Sequence, residues 1–257
     1  MIVASFTTSP SRIHKCEKTI DSILSQETKP DLILLNIPKK YRGEEEYEIP
    51  SFVRDKVTLN VIDEDLGPGT KLIGSIMYCE KNDIDADKFV YFDDDVLYPP
   101  LMISCMMISS KPGTVVGASC FDCFVDGNVG IHFERFLQYQ IVEGFGGVCV
   151  DAKDLKGFMN FFESLPKTKE VLRSDDLYFS IFYNNNGLLL RALNVPNAYS
   201  FFDFWREDRI LEYGNESDAL HNQSVNNLGR YVEAAKQISS VYDIMLPNLS
   251  HKKTNAD

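Results

Sequence analysis

The chain has 257 residues, 44% of them apolar, and a formal net charge of −12. The length allows one large domain or two small ones, and the apolar share is enough for a substantial core. The acidic balance excludes a general nucleic-acid binder, which needs clustered Lys and Arg against phosphate; an anionic ligand must be met by a few local cations or by a metal. No apolar run is long enough to span a bilayer. The six cysteines, Cys16, Cys79, Cys105, Cys120, Cys123 and Cys149, fall mostly in apolar segments, as expected of buried thiols in a reducing compartment. "CFDC" has no second ligand pair at a spacing suited to structural zinc.

"IVASF" opens the chain as a short strand rather than a targeting segment. Ser9 and Pro10 are placed to start a helix, with Ile13, Cys16, Ile20, Ile23 and Leu24 on its apolar face. "LILLNI" is a second strand, followed by the charged loop "PKKYRGEEEYEIP", and "VTLNVI" is a third. "GPGT" breaks the chain before a helix over 71–79, with Leu72, Ile73, Ile76 and Met77 inward. "KFVYF" is the next strand. This alternation predicts an α/β fold, a mostly parallel central sheet flanked by helices. Further on, "TVVGAS" and "GVCVD" read as strands and 152–165 as a helix. "SDDLYFSIFYNN" reads as a helix capped by Ser174, "LLLRALNV" as a late strand and 224–242 as a last helix. The reading is one domain over 1–250, with a disordered tail over 251–257.

In such sheets ligands bind outside the carboxyl ends of the strands. Thr7-Thr8, Asp63-Glu64-Asp65 and Asp93-Asp94-Asp95 all fall there. Three adjacent aspartates after an apolar strand repel one another unless a cation is present. A helix cap would explain one of them. A hard divalent ion, Mn²⁺ or Mg²⁺, explains the set, and such an ion in turn neutralises phosphate oxygens.

"TTSPSRI", "EDLGPGTKL", "YFDDDVLYPP", "GFGGV", "SDD" and "DALHNQ" follow in that order. In these segments the chain resembles the small GT-A glycosyltransferases encoded by large algal viruses and some bacteria. The resemblance runs over about residues 2–241. It implies a nucleotide-sugar-binding GT-A fold, a D-x-D metal site and sugar transfer from a UDP-sugar to a glycan acceptor, such as one on a glycoprotein or capsid.

Carried over, Thr7, Thr8 and Arg12 line the nucleotide, and Asp65 contacts the nucleoside. Lys71, beside helix N–H groups, meets the diphosphate. Asp93 and Asp94 lie at the ribose and metal, and Asp95 is the metal ligand, sharing a face with Asp93 by strand alternation. Gly146 and Gly147 of "GFGGV" lie beside the donor sugar. Asp175 and Asp176 face the acceptor, with Asp176 favoured as general base; a helix-start role for the pair is the alternative. His221 is a candidate third metal ligand, and Trp205 a sugar-stacking or core residue.

Two other classes compete. A D-x-D Mg²⁺-dependent phosphatase needs Thr or Val two residues after its second aspartate, and position 97 is Leu. A non-enzymatic carbohydrate-binding module leaves "GPGTKL" without a role. The expected location is cytoplasmic, in the host if the gene is viral.

Overall fold

The computed structural model describes residues 1–123, 129–130, 140–193, 209, 211 and 227–242. Its elements are β1 (Ile2–Phe6), α1 (Glu17–Leu24), β2 (Leu32–Pro38), α2 (Ser51–Lys56), β3 (Thr58–Ile62), α3 (Thr70–Lys81), β4 (Lys88–Tyr91), α4 (Met102–Ser109), β5 (Thr114–Cys123), β6 (Val129–Gly130), β7 (Ile141–Asp151), α5 (Phe158–Ser164), α6 (Lys169–Leu172), α7 (Asp175–Asn185), β8 (Leu189–Ala192) and α8 (Asn227–Ser239). The sheet order is β3-β2-β1-β4-β7-β5-β6, with β8 paired to β5. β3, β2, β1 and β4 run parallel, as does the β5–β8 pair. β7 enters antiparallel between β4 and β5. The protein is therefore α/β, with a mostly parallel sheet whose direction reverses at β7.

Helices cover both faces, and strand side chains alternate between two apolar layers as a pleated strand requires. Val3, Phe89, Tyr91, Val148 and Val150 pack with α3, α5, α7 and α8. Ala4, Phe6, Val90, Phe92 and Cys149 pack with α1, α2 and α4. At the end of β4 remote from the acidic run, Lys88 stands opposite Asp151 of β7 and pairs with it. Among the described residues no helix is long and apolar enough to cross a membrane.

Several local expectations are corrected. Residues 10–16 form consecutive turns, and regular helix begins only at Glu17. Ile13, Cys16, Ile20 and Ile23 are nevertheless buried. In α3, Leu72, Ile73 and Ile76 point inward, but Met77 is 39% exposed and Cys79 takes its place. The expected helix over 152–165 is divided. A 3₁₀ turn, Ala152–Leu155, is separated from α5 by Gly157, whose φ of +84° breaks helical geometry. Ser174 stands at the N-cap position of α7 but makes no side-chain cap; its hydroxyl donates to the Glu170 carbonyl instead. Of the thiols, Cys16, Cys79, Cys105 and Cys149 are buried and Cys120 is half-buried, none of them in a disulfide. The tail over 251–257 lies outside the described residues, as do His221 and Trp205.

Candidate functional site

The carboxyl ends of β1 and β4 place Thr8 and the three aspartates side by side. The chain bends at Asp94 and Asp95, so strand alternation does not extend through the run. Asp94 turns inward and is 4% exposed. Thr8 Oγ1 donates to its carboxylate at 2.5 Å, and Thr19 Oγ1 of α1 to its carbonyl at 2.7 Å. Arg12 reaches back from the turns before α1. One guanidinium nitrogen pairs with Asp95 and the other lies 3.3 Å from Asp94. Burial pushes the Asp94 carboxyl up to about 7; Arg12 opposes this and Asp95 adds to it. Burial also raises Asp95, and the next influence is the charge of Asp93. Asp93 and Asp95 therefore share one pocket of charge, although they hold different cations. Asp95 Oδ1 is buried and lacks a hydrogen-bond partner.

Asp93 turns to Lys71, on the first turn of α3. Lys71 was expected at the rim, facing a diphosphate. It is instead 2% exposed, with Nζ 2.6 Å from Asp93 Oδ1 and 2.9 Å from Asp175 Oδ2. The Asp175 contact is Coulombic: that oxygen lies off the hydrogen-bond directions of the ammonium. Burial works against the Lys71 charge, but Asp175, Asp93 and Asp176 outweigh it and hold the amine well above its ordinary value.

The glycine run "GFGGV" lies inside β7. Ser119 pairs with Glu143 and Gly117 with Val148, so Ala118 alone stands opposite Gly144–Gly147. Four residues against one make this a special bulge, larger than the usual two against one, and bulges re-aim backbone beside functional sites. Each of its glycines meets the protein's own chain. A Cβ on Gly146 would lie 2.5 Å from the Ser119 nitrogen. Gly147 has φ +78°, and a Cβ there would lie 2.9 Å from the Phe92 ring. Gly144, rather than Gly146 or Gly147, is the glycine that reaches the charged centre, where a Cβ would overlap the Lys71 ammonium. Gly144→Ala should therefore destabilise the fold by about 1–3 kcal/mol, the usual cost of overpacking, read as a lower urea midpoint. An unchanged midpoint would mean that Lys71 does not pack against this strand.

Asp176 accepts a hydrogen bond from the Gly144 N–H at 2.8 Å, and the Tyr231 hydroxyl of α8 lies 3.4 Å from its other oxygen. Burial first, then Asp175, raises the Asp176 carboxyl well above the usual carboxylate range, while Lys71 draws it down. Asp65 has a local role: its two oxygens accept from the N–H groups of Gly67 and Arg42, building the "GPG" turn and tethering the preceding loop. Thr7 is half-buried beside Thr8.

Five contributors had no signal in local sequence. Buried Tyr98 accepts from the Asp93 N–H at 2.9 Å and donates to the Phe145 carbonyl at 3.1 Å, tying the aspartate run to the bulge. Tyr47 donates to the Thr8 carbonyl at 2.8 Å. Leu211 N–H donates to the Asp95 carbonyl at 2.8 Å, and Leu97 N–H to the Arg209 carbonyl at 2.7 Å. Glu143 accepts from Ser119 Oγ. Tyr98 lies five residues from Asp93, but its Phe145 contact and the partners of the others lie on distant segments, which spacing does not reveal.

Six carboxylates (Asp93, Asp94, Asp95, Glu143, Asp175 and Asp176) thus gather around two cations, Arg12 and Lys71. Among the described residues no three His, Cys, Asp or Glu side chains form a ready metal cage, because the two cations draw the carboxylates to separate partners. The partnerless oxygen of Asp95, in the field of the Asp93 charge, has the chemistry to take a hard cation. A separate cleft of ≈ 900 Å³ opens at the far end of the sheet, lined by Ile76, Lys88, Met159 and others. It holds none of these groups. Comparison with protein-family models finds no match, and comparison with curated proteins finds none either.

Proposed function

We propose that the chain is a metal-dependent glycosyltransferase of the GT-A type, moving a sugar from a nucleotide-sugar, with UDP as the expected nucleotide, to a glycan hydroxyl. The observation that carries this reading is the meeting at Lys71. One ammonium joins Asp93, from the end of β4, to Asp175, from the start of α7. Transfer needs carboxylates that manage a diphosphate and a carboxylate that manages an acceptor proton to stand side by side, and Lys71 holds such groups together.

Asp93 and Asp95 would hold Mn²⁺ or Mg²⁺, with Asp94 buried behind them as their support. The metal supplies charge neutralisation on the leaving diphosphate. Thr8 and Arg12 hold the aspartate run, and Arg12 would face phosphate beside the bound metal. Asp176 is held at one oxygen by the Gly144 N–H, an arrangement that can aim the group at an acceptor hydroxyl.

Metal and nucleotide should bind cooperatively. In calorimetry, UDP should bind tightly only with Mn²⁺ present, and Asp95→Ala should abolish the Mn²⁺-dependent part of the affinity. Equal UDP affinity with and without metal in the unaltered protein would sink this proposal. A panel of UDP- and GDP-sugars, screened with Mn²⁺ by thermal shift and then for nucleotide release, tests the reading as a whole.

A further inference from the structure

Four of the site's carboxylates already have a cation: Asp94 and Asp95 take Arg12, and Asp93 and Asp175 take Lys71. Asp176 has a backbone N–H. Glu143 differs from all of these. Its Oε2 accepts from Ser119 Oγ at 2.5 Å, and among the described residues no cation pairs with it. Ser119 is its cross-strand partner at the edge of the bulge, so the carboxyl group is oriented before any ligand arrives. The group is also within electrostatic reach of both halves of the site. Asp93 and Lys71 act on Glu143, and Glu143 acts on Asp176.

Its place in the chain gives this meaning. The peptide joining Glu143 to Gly144 carries the N–H that holds Asp176. The same Gly144 lies against Lys71 and Asp93. The Glu143–Gly144 step therefore runs between the carboxylates assigned to the diphosphate and the one assigned to the acceptor. In a transfer reaction the moving sugar occupies the space between leaving diphosphate and attacking hydroxyl. Each sugar hydroxyl removed from water needs an acceptor for its proton. A carboxyl group fixed at one oxygen and not ion-paired keeps its other oxygen to accept such a proton.

We propose that Glu143 is a specificity-determining residue that accepts a hydrogen bond from a hydroxyl of the transferred sugar, with Ser119 as its positioning residue. This rests on the glycosyltransferase reading. The test compares UDP with UDP-glucose, UDP-galactose, UDP-xylose and UDP-rhamnose, each with Mn²⁺, by calorimetry on the full chain. Glu143→Ala should leave UDP affinity within about twofold. It should weaken the UDP-sugar that the unaltered protein prefers by about tenfold or more, the loss of one charge-assisted hydrogen bond. Ser119→Ala should weaken the same UDP-sugar less, and Ser119→Thr should restore it.

Equal losses for UDP and UDP-sugar, or no loss for either, overturn the Glu143 assignment and leave the glycosyltransferase reading standing. Failure of the unaltered protein to bind UDP or any of these UDP-sugars overturns both. Should Glu143→Ala not fold, Glu143→Leu, which keeps bulk but has no acceptor, is held to the same comparison.

Discussion

Asp176→Asn should keep UDP–Mn²⁺ affinity and lower sugar transfer by about 10²–10⁴-fold, the usual contribution of a positioned general base. The amide is nearly isosteric and can still accept from the Gly144 N–H, so the local structure should survive. What it loses is the basic oxygen. Asp175→Asn acts differently, because Asp175 faces Lys71 rather than the Gly144 N–H; it should lower stability along with rate. The pH profile gives a second check. Burial and the Asp175 charge raise the Asp176 carboxyl, so it holds its proton further up the pH scale than an exposed aspartate. A base must be deprotonated to act. Transfer should therefore fall on acidification at a pH above the ordinary carboxylate range, and Asp176→Asn should remove that limb. Full transfer in both variants would leave the pair as helix-start acids only. The anomeric configuration of the product, read by NMR, then separates a base located elsewhere from a retaining mechanism.

Lys71→Met should cost about 3–5 kcal/mol of folding stability, the range for breaking a buried ion pair by removing one partner. Methionine matches the stem but leaves Asp93 and Asp175 facing each other without their shared cation, and Asp175 is only 4% exposed. The loss should appear as a lower urea midpoint with an unchanged slope. Lys71→Met with Asp175→Asn should recover part of it, because the double variant removes one of the stranded charges. A single variant as stable as the unaltered protein would show that Lys71 does not hold the two halves of the site together. The same change should weaken UDP in the presence of Mn²⁺, by misplacing Asp93 rather than by removing a direct phosphate contact.

The class of fold and the rim on which the polar groups meet are legible in the amino-acid order alone. Strand and helix periodicities are local properties, and each acidic or Thr-rich cluster directly follows an apolar strand, so parallel pairing of β1 to β4 brings Thr8 and the aspartates together. Periodicity also showed which face of α3 is buried, apart from Met77, since burial of an amphipathic helix follows from spacing of 3.6 residues per turn.

Which charge meets which becomes visible only once the strands are assembled. Lys71 read as a rim lysine because its neighbours in sequence are a glycine turn and a helix; the carboxylates that bury it come from β4 and α7. The three glycines of "GFGGV" predict a close backbone approach to a ligand, the donor sugar by resemblance, or a plain hairpin turn. The segment is a bulge in β7 whose glycines leave room for the Lys71 ammonium, the Ser119 backbone and the Phe92 ring. Asp65 read as a ligand residue and is occupied with its own turn. Glu143 carried no signal, since its orientation depends on Ser119 across the strand pair. Asp65 is settled by its own turn and loop; the other three share one physical reason. Local pattern reports how much of a side chain leaves water, whereas the partner that makes burial of a charge tolerable is chosen by the order and direction of strands far apart in the chain, here by the antiparallel entry of β7 beside β4.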